Sequence, residues 1–211
     1  MYLTKLTLNL RSAQARRDLG DAYEMHRTLV RAFVADSHSN PPRFLWRLEA
    51  NTKLAAAADE VNGPALLIQS EAPADWSILE RLPGYLQHRA ETKNVELAHL
   101  VRLHRHYRFR LLANATICRK GKRLALLKQE EQTAWIERQG DRHGFRIQSV
   151  SVSPHDLLTS SASGKASICV QRVCFEGYLE VLQPAVFENA LVAGIGPAKA
   201  FGCGLLSVAP C

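Results

Sequence analysis

Two-residue alternation of apolar and polar side chains gives way to helical periodicity and returns in the order β-α-β-β-α-β, and that order runs through the 211-residue chain twice. Residues 2–10 put Leu6, Leu8 and Leu10 on one face against Lys5, Thr7 and Asn9, which predicts a strand. Asp21-Ala-Tyr-Glu24 has the form of a capping box, and the stripe Ala22, Met25, Leu29, Ala32 and Phe33 predicts a helix to about residue 35. Residues 44–49 and 65–70 predict two strands, with the stretch between them reading as a turn or an excursion. Asp75 caps a short predicted helix from Trp76 to about Leu82. Residues 104–112 predict a fourth strand, with Tyr107, Phe109 and Leu111 opposed to His106, Arg108 and Arg110.

The second half repeats the order. A strand at 124–127 follows the basic turn Arg119-Lys-Gly-Lys-Arg123, and a helix runs over 129–139 with Gly140 as its stop. Strands at 144–152 and 166–181 enclose a Ser-rich loop at 154–165. Pro184 opens a helix to about Val192, and residues 205–208 form the last strand. Each β-α-β-β-α-β unit predicts a ferredoxin-like α+β domain. The domains are placed at 1–115 and 120–211, the first with the helix that holds Tyr23 and His26, the second with a C-terminal glycine-rich loop.

That loop is the densest functional signal. From Gly194 to Cys211 the chain sets Gly194, Gly196, Gly202 and Gly204 around Lys199, directly before an apolar run. Glycines at this density let the backbone approach a ligand, and successive amides can converge on an anion. The spacing matches neither a mononucleotide loop nor a dinucleotide fingerprint. It predicts a phosphate-chain contact, with Lys199 as a mobile positive charge, and no nucleotide cofactor; a plain turn before a strand is the alternative.

Charge points the same way. The formal net charge is +7. Arg102, Arg105, Arg108, Arg110, Arg119, Lys120, Lys122 and Arg123 form a block with no acidic residue, which leaves −1 for the rest of the chain. An uncompensated basic block suits a phosphate backbone. Five cysteines without a C-x-x-C pair fit neither a disulfide framework nor a zinc ribbon. The start lacks a signal-peptide core, and no apolar run approaches the ~18 residues of a membrane span. A cytoplasmic protein with reduced thiols is expected.

For chemistry, Tyr23, His26 and Arg27 flank one side of the first helix, with Arg31 one turn on. A histidine, a phenol and guanidinium groups beside a phosphate site are sufficient for RNA cleavage without a metal, by attack of the RNA's own 2′-hydroxyl. His26 fits either acid or base, and Tyr23 the second proton carrier or an orienter. His104 and His106 share a strand face, yet no third metal ligand follows at a recognisable spacing. Neither metal nor cofactor is expected.

Several segments resemble the repeat-processing endoribonucleases of type I-E CRISPR systems, the CasE family. They are Met1-Tyr-Leu-Thr-Lys-Leu6, Arg17-Asp-Leu19, Tyr23-Glu-Met-His-Arg27, Leu45-Trp-Arg-Leu48, Asp75-Trp-Ser77, Arg108-Phe-Arg-Leu111, Ala134-Trp-Ile-Glu-Arg-Gln139, Phe175-Glu-Gly177 and the run from Gly194 to Ser207. The resemblance spans nearly the whole chain. It implies tandem ferredoxin-like domains and metal-independent cleavage of precursor CRISPR RNA at the base of each repeat hairpin, leaving a 2′,3′-cyclic or 3′ phosphate. It also implies that the product hairpin stays bound while the enzyme serves as a subunit of the Cascade complex; free, the chain is expected as a monomer. Tyr23 and His26 match the family's catalytic pair, Arg27 and Arg31 its basic neighbours, and residues 194–204 its glycine-rich loop. In relatives a basic hairpin of the second domain enters the RNA major groove. Here the matching segment, residues 158–167, offers only Lys165, so the turn from Arg119 to Arg123 is expected to carry more of the stem contact.

Overall fold

The structure is a computed structural model, and it describes residues 1–34, 40–49, 63–160 and 168–211. The chain divides into two compact units, Met1–Val95 and Glu96–Cys211.

The first unit contains β1 (Tyr2–Thr7), α1 (Ala13–Gly20), α2 (Ala22–Val30), β2 (Phe44–Glu49), β3 (Ala65–Ser70), α3 (Ser77–Glu80) and β4 (Glu91–Asn94). Its sheet is antiparallel in the order β2-β3-β1-β4, the arrangement of a ferredoxin-like domain. Leu6, Leu66, Ile68 and Trp46 form the apolar face of that sheet, and Ala15, Met25, Leu29 and Leu79 close over it from the helices. Leu10 lies beyond the end of β1 and is exposed. The Asp75 carboxylate accepts from the Ser77 amide at 3.1 Å, but α3 is shorter than the predicted helix from Trp76 to about Leu82, and Trp76 rather than Asp75 stands at its N-cap.

The second unit contains α4 (Leu97–Leu100), β5 (His106–Ala113), β6 (Thr116–Arg119), β7 (Lys122–Ala125), α5 (Gln129–His143), β8 (Phe145–Ser160), β9 (Ile168–Val181), α6 (Pro184–Ala193) and β10 (Leu206–Pro210). The main sheet is again antiparallel, ordered β10-β5-β9-β8, while β6 and β7 form a separate two-stranded hairpin. Tyr107, Phe109, Leu111, Phe145, Phe175 and Phe187 fill the core. Tandem ferredoxin-like domains are thus the architecture.

The expected division between residues 115 and 120 is corrected. β5 pairs with β9 and β10 and is the first strand of the second sheet, so the boundary lies near residue 95. The fourth strand of the first sheet is β4, whose sequence Glu-Thr-Lys-Asn has no apolar residue and whose side chains are all exposed. An edge strand of this kind carries no alternation for a sequence reading to detect. β5, by contrast, alternates cleanly, but alternation does not say which sheet a strand joins.

Two further boundaries shift. α5 continues through Gly140 to His143 and is capped by Gly144 in the left-handed region at φ 73°. β8 continues to Ser160 where a loop from residue 154 was expected, because the ladder resumes after an irregularity between Pro154 and Asp156. Proline at such an irregularity needs no amide for the ladder.

Candidate active site

The helix α2 owes its start to Asp21, whose carboxylate accepts from the Tyr23 amide at 2.9 Å. The reciprocal half of the expected capping box does not form, because the Asp21 amide donates to the Arg17 carbonyl instead. Glu24 turns to two guanidinium groups, Arg27 at 3.1 Å and Arg17 at 3.5 Å. Ala22, Met25 and Leu29 are buried under the helix, which leaves Tyr23 and Arg27 exposed and His26 at the margin. Helical periodicity carried further in the sequence than in the structure: α2 ends at Val30, and residues 31–33 form turns.

His26 stacks on Phe44 with ring centroids 5.0 Å apart and planes 18° apart. Phe44 also stacks with Phe33 at 4.6 Å, and Phe33 meets Trp76 edge-on at 5.6 Å. Phe44 thus links His26 to Phe33. The Nδ1 atom of His26 is buried and has no hydrogen-bond partner among the described residues. Burial pushes the imidazole pKa below its usual value. At neutral pH the ring is uncharged.

Beneath α2 lies a polar anchor absent from the sequence expectations. Asp18, its carboxylate wholly buried, accepts from the Tyr85 hydroxyl at 2.9 Å and from Arg17 Nη2 at 3.0 Å. Burial, followed by the Asp18 charge, drives the Tyr85 phenol far above its usual range, so it stays a donor. Tyr85, Asp18, Arg17, Glu24 and Arg27 thus form one chain of contacts from core to surface. Only a polar residue within a helical segment hinted at it, and the partner is 67 residues away. Arg31, at the end of α2, is exposed and has no carboxylate partner among the described residues.

In the second unit the remaining candidates separate into three groups. Arg108 and Arg110 point away from the core along β5; Arg110 pairs with Glu176 at 3.3 Å, and Arg108 sits opposite Tyr178, which is 48% exposed. His104 is tied to Glu180 at 2.9 Å, and this bond, more than Arg146 nearby, holds the Glu180 carboxyl below its usual range. Arg119, Lys120, Lys122 and Arg123 crown the β6–β7 hairpin and are exposed. Lys165 lies outside the described residues.

The third group is the loop after α6, where Gly194, Gly196, Ala198, Gly202 and Gly204 all have positive φ. At Gly196, φ is 81° and a Cβ would sit 3.2 Å from the Trp135 ring, so the tight passage over α5 needs glycine. The loop is internally bonded: Ile195 donates to Gly204, Gly204 to Leu112 and Gly202 to Lys199. Lys199 is not a mobile charge, because its Nζ donates to the Ala193 carbonyl at 2.6 Å and closes the C-terminus of α6. The amides of Gly196, Ala198 and Ala200 are not among the loop's internal donors.

The family described as CRISPR associated protein matches residues 1–210 of this chain. The CRISPR-associated endoribonuclease Cse3 of Thermus thermophilus is 38% identical over 231 residues, covering all of both chains. The chain belongs to the CasE family of type I-E CRISPR endoribonucleases. The Cascade subunit CasE of Escherichia coli is 30% identical over 226 residues, again with both chains fully covered. Among solved structures, Cse3 bound to a 19-nucleotide RNA is 38% identical, covers both chains completely and superposes with a TM-score of 0.86. In this CasE-family chain, no described helix is long and apolar enough to cross a membrane.

Proposed function

We propose that the chain is an endoribonuclease that cleaves precursor CRISPR RNA at the base of the repeat hairpin, without a metal, and keeps the product as a Cascade subunit. The observation that carries the chemistry is His26: an uncharged imidazole, held by Phe44, three residues from the exposed Tyr23 on α2. Protonating that ring would place a charged N–H at the buried, partnerless Nδ1, which is strongly unfavourable. The free base is therefore the resting form, and His26 acts as general base. It removes the 2′-hydroxyl proton, the 2′-oxygen attacks the adjacent phosphorus, and the bond to the 5′-oxygen breaks. Tyr23 delivers or relays the proton that the leaving oxygen needs, and the products are a 2′,3′-cyclic phosphate and a 5′-hydroxyl.

Charge on the pentavalent phosphorus falls to Arg31, which has no carboxylate partner among the described residues, with Arg27 held in place by Glu24. In the second unit, the amides of Gly196, Ala198 and Ala200 supply neutral donors to the sugar-phosphate chain, and Arg108 supplies charge. The relatives' names, an endoribonuclease and a Cascade subunit, support the assignment over a scaffold that binds without cutting.

The test is a synthetic repeat hairpin incubated in EDTA, with and without a single 2′-deoxy substitution at the cut site. Cleavage of the all-RNA strand alone, with a cyclic phosphate on the 5′ fragment, is the expected result. Cutting of the deoxy strand, or loss of all cutting in EDTA, would defeat the reading.

A further inference from the structure

Phe44 opens β2 at the edge of the first sheet, and the two-residue alternation of the strand turns it to the same side as Trp46, the side on which α2 packs. There its ring meets His26 at the margin of the helix.

The imidazole belongs to an aromatic group drawn from four segments. Its ring lies 5.0 Å from that of Phe44 and within 18° of parallel. Phe33, in the turn after α2, lies 4.6 Å from Phe44 and within 12° of parallel, and Trp76, at the start of α3, meets Phe33 edge-on at 81°. Offset stacks and edge-on contacts are the favoured aromatic geometries. The Asp75 amide donates to the Ala32 carbonyl at 2.8 Å, which ties the turn that carries Phe33 to the start of α3. Phe44 and Trp76 are buried. Rings packed this closely do not change rotamer freely, and a histidine laid against them takes a fixed plane.

In an acid–base site, the nitrogen of histidine that does not act is commonly held by a carboxylate or a backbone carbonyl. Here Nδ1 is enclosed and has no such partner among the described residues, which leaves Nε2 as the nitrogen that can meet a 2′-hydroxyl. The charged groups on the surrounding elements do not take the missing part. On α2, Glu24 is held by Arg17 and Arg27, and Tyr23 and Arg31 are exposed. Before β2, Arg43 is exposed; on it, Arg47 pairs with Glu49. Asp75 accepts from the Ser77 amide. Packing is what remains to aim the ring.

We infer that Phe44 is a positioning residue for the reaction: its ring fixes the plane of the His26 imidazole and keeps water from it, so that Nε2 is presented to RNA without a hydrogen-bonded orienter behind it. The inference rests on the assignment of His26 as general base and adds the group that aims it. Phe44 acts on the proton in two opposed ways. Its π-face attracts an imidazolium, while its apolar cover withholds the water that an imidazolium needs. The cover prevails, since burial holds the His26 pKa below its usual value.

The test follows single-turnover cleavage against pH in Phe44→Leu and Phe44→Ala. Alongside it run affinity for a repeat hairpin made uncleavable by a 2′-deoxy nucleotide at the cut site, and NMR titration of the His26 ring in the free proteins. Leucine keeps an apolar cover but not a flat one. Phe44→Leu should lower the plateau rate about tenfold with its midpoint little moved, since a misplacement of about 1 Å costs up to about 10²-fold. Phe44→Ala admits water, so its kinetic and NMR midpoints should both rise toward the ordinary histidine value of about 6.5. Affinity for the uncleavable hairpin should match wild type in both, because Phe44 is buried. A wild-type plateau in Phe44→Leu overturns the aiming of the ring, and a midpoint in Phe44→Ala at or below that of wild type overturns the cover. Where Phe44→Ala does not fold, Phe44→Val thins the cover less and carries the same comparison of midpoints. A merely structural role would lower stability and leave the midpoint in place. Failure of the cleavage reading looks different: the NMR midpoints keep their expected order while cutting persists in His26→Ala.

Discussion

The helix α2 and the β6–β7 hairpin both present arginines to solvent, and they handle charge in opposite ways. On α2, Arg27 is paired with Glu24, which is paired with Arg17, which is paired with the buried Asp18. On the hairpin, four cations have no carboxylate partner among the described residues. Exposed ion pairs contribute little to stability, about 0–1 kcal/mol each, so the α2 network is better understood as fixing geometry than as adding energy. A group that must meet a phosphorus atom within a few tenths of an ångström gains from being held. A group that captures a polyanion at a distance gains from being free and unneutralised. Under the proposed function, the contrast separates a place for chemistry from a place for grip.

The sharpest way to break this division is to remove the chemistry and ask whether grip survives. His26→Ala should lower the single-turnover cleavage rate by roughly 10²–10⁴-fold, the usual contribution of a positioned proton-transfer group. The affinity for uncleavable hairpin should change less than about twofold, read by filter binding, because an uncharged ring makes no phosphate contact. A variant that cuts at the wild-type rate would remove His26 from the mechanism. One that fails to bind would merge the two regions into a single function.

Acid is the next lever. As general base His26 must be unprotonated, so the rate should rise with pH and level off, its midpoint below the ordinary histidine value of about 6.5 because burial disfavours the cation. Below the midpoint the rate should fall about tenfold per pH unit. A general acid would give the reverse, with activity already lost at neutral pH. Stability follows the same sign. The unfolded chain takes up the His26 proton more readily than the folded one, so stability is undiminished above about pH 6.5 and falls as pH drops through the interval down to the folded pKa. In His26→Gln the dependence of Tm on pH over that interval should be shallower than in the wild type. Salt should leave the pH midpoint nearly unmoved while it weakens hairpin binding steeply.

Much of this was legible in the chain and some was not, for identifiable reasons. α2 was readable from Asp21 and from the spacing of Ala22, Met25 and Leu29, because capping and burial are local. The β-α-β-β-α-β order was readable, yet β4 was not, since its pairing with β1 rests on backbone bonds and on Thr4 with Thr92 rather than on buried apolar residues. Missing it moved β5 into the wrong domain. Lys199 looked free because sequence cannot show a side chain folding back six residues to Ala193. Asp18 and Tyr85 were invisible as a pair because their contact joins α1 to a loop 67 residues on.

That buried pair gives the third prediction. Tyr85→Phe leaves the Asp18 carboxylate one hydrogen bond short in a site with no water access, which should cost about 1–3 kcal/mol in urea unfolding. If the chain of contacts from Asp18 to Arg27 orients α2, the cleavage rate at saturating RNA should also fall several-fold while the hairpin salt slope stays fixed. Loss of stability alone would make the network structural only.

The smallest expected effect concerns Lys199, the cation whose position in a glycine-rich loop most suggested a phosphate ligand. Its ammonium group closes the part-buried carbonyl end of α6, where a positive charge contributes about 0.3–1 kcal/mol. Lys199→Met keeps the length of the side chain and removes the donor, so the unfolding free energy should fall by about that amount. If Lys199 stays on the Ala193 carbonyl, the slope of hairpin affinity against salt should stay within experimental error, because no phosphate contact is lost. A slope lower by about 0.9 would instead show that the side chain leaves Ala193 for RNA. The boundary between holding and gripping would then run through the glycine loop itself.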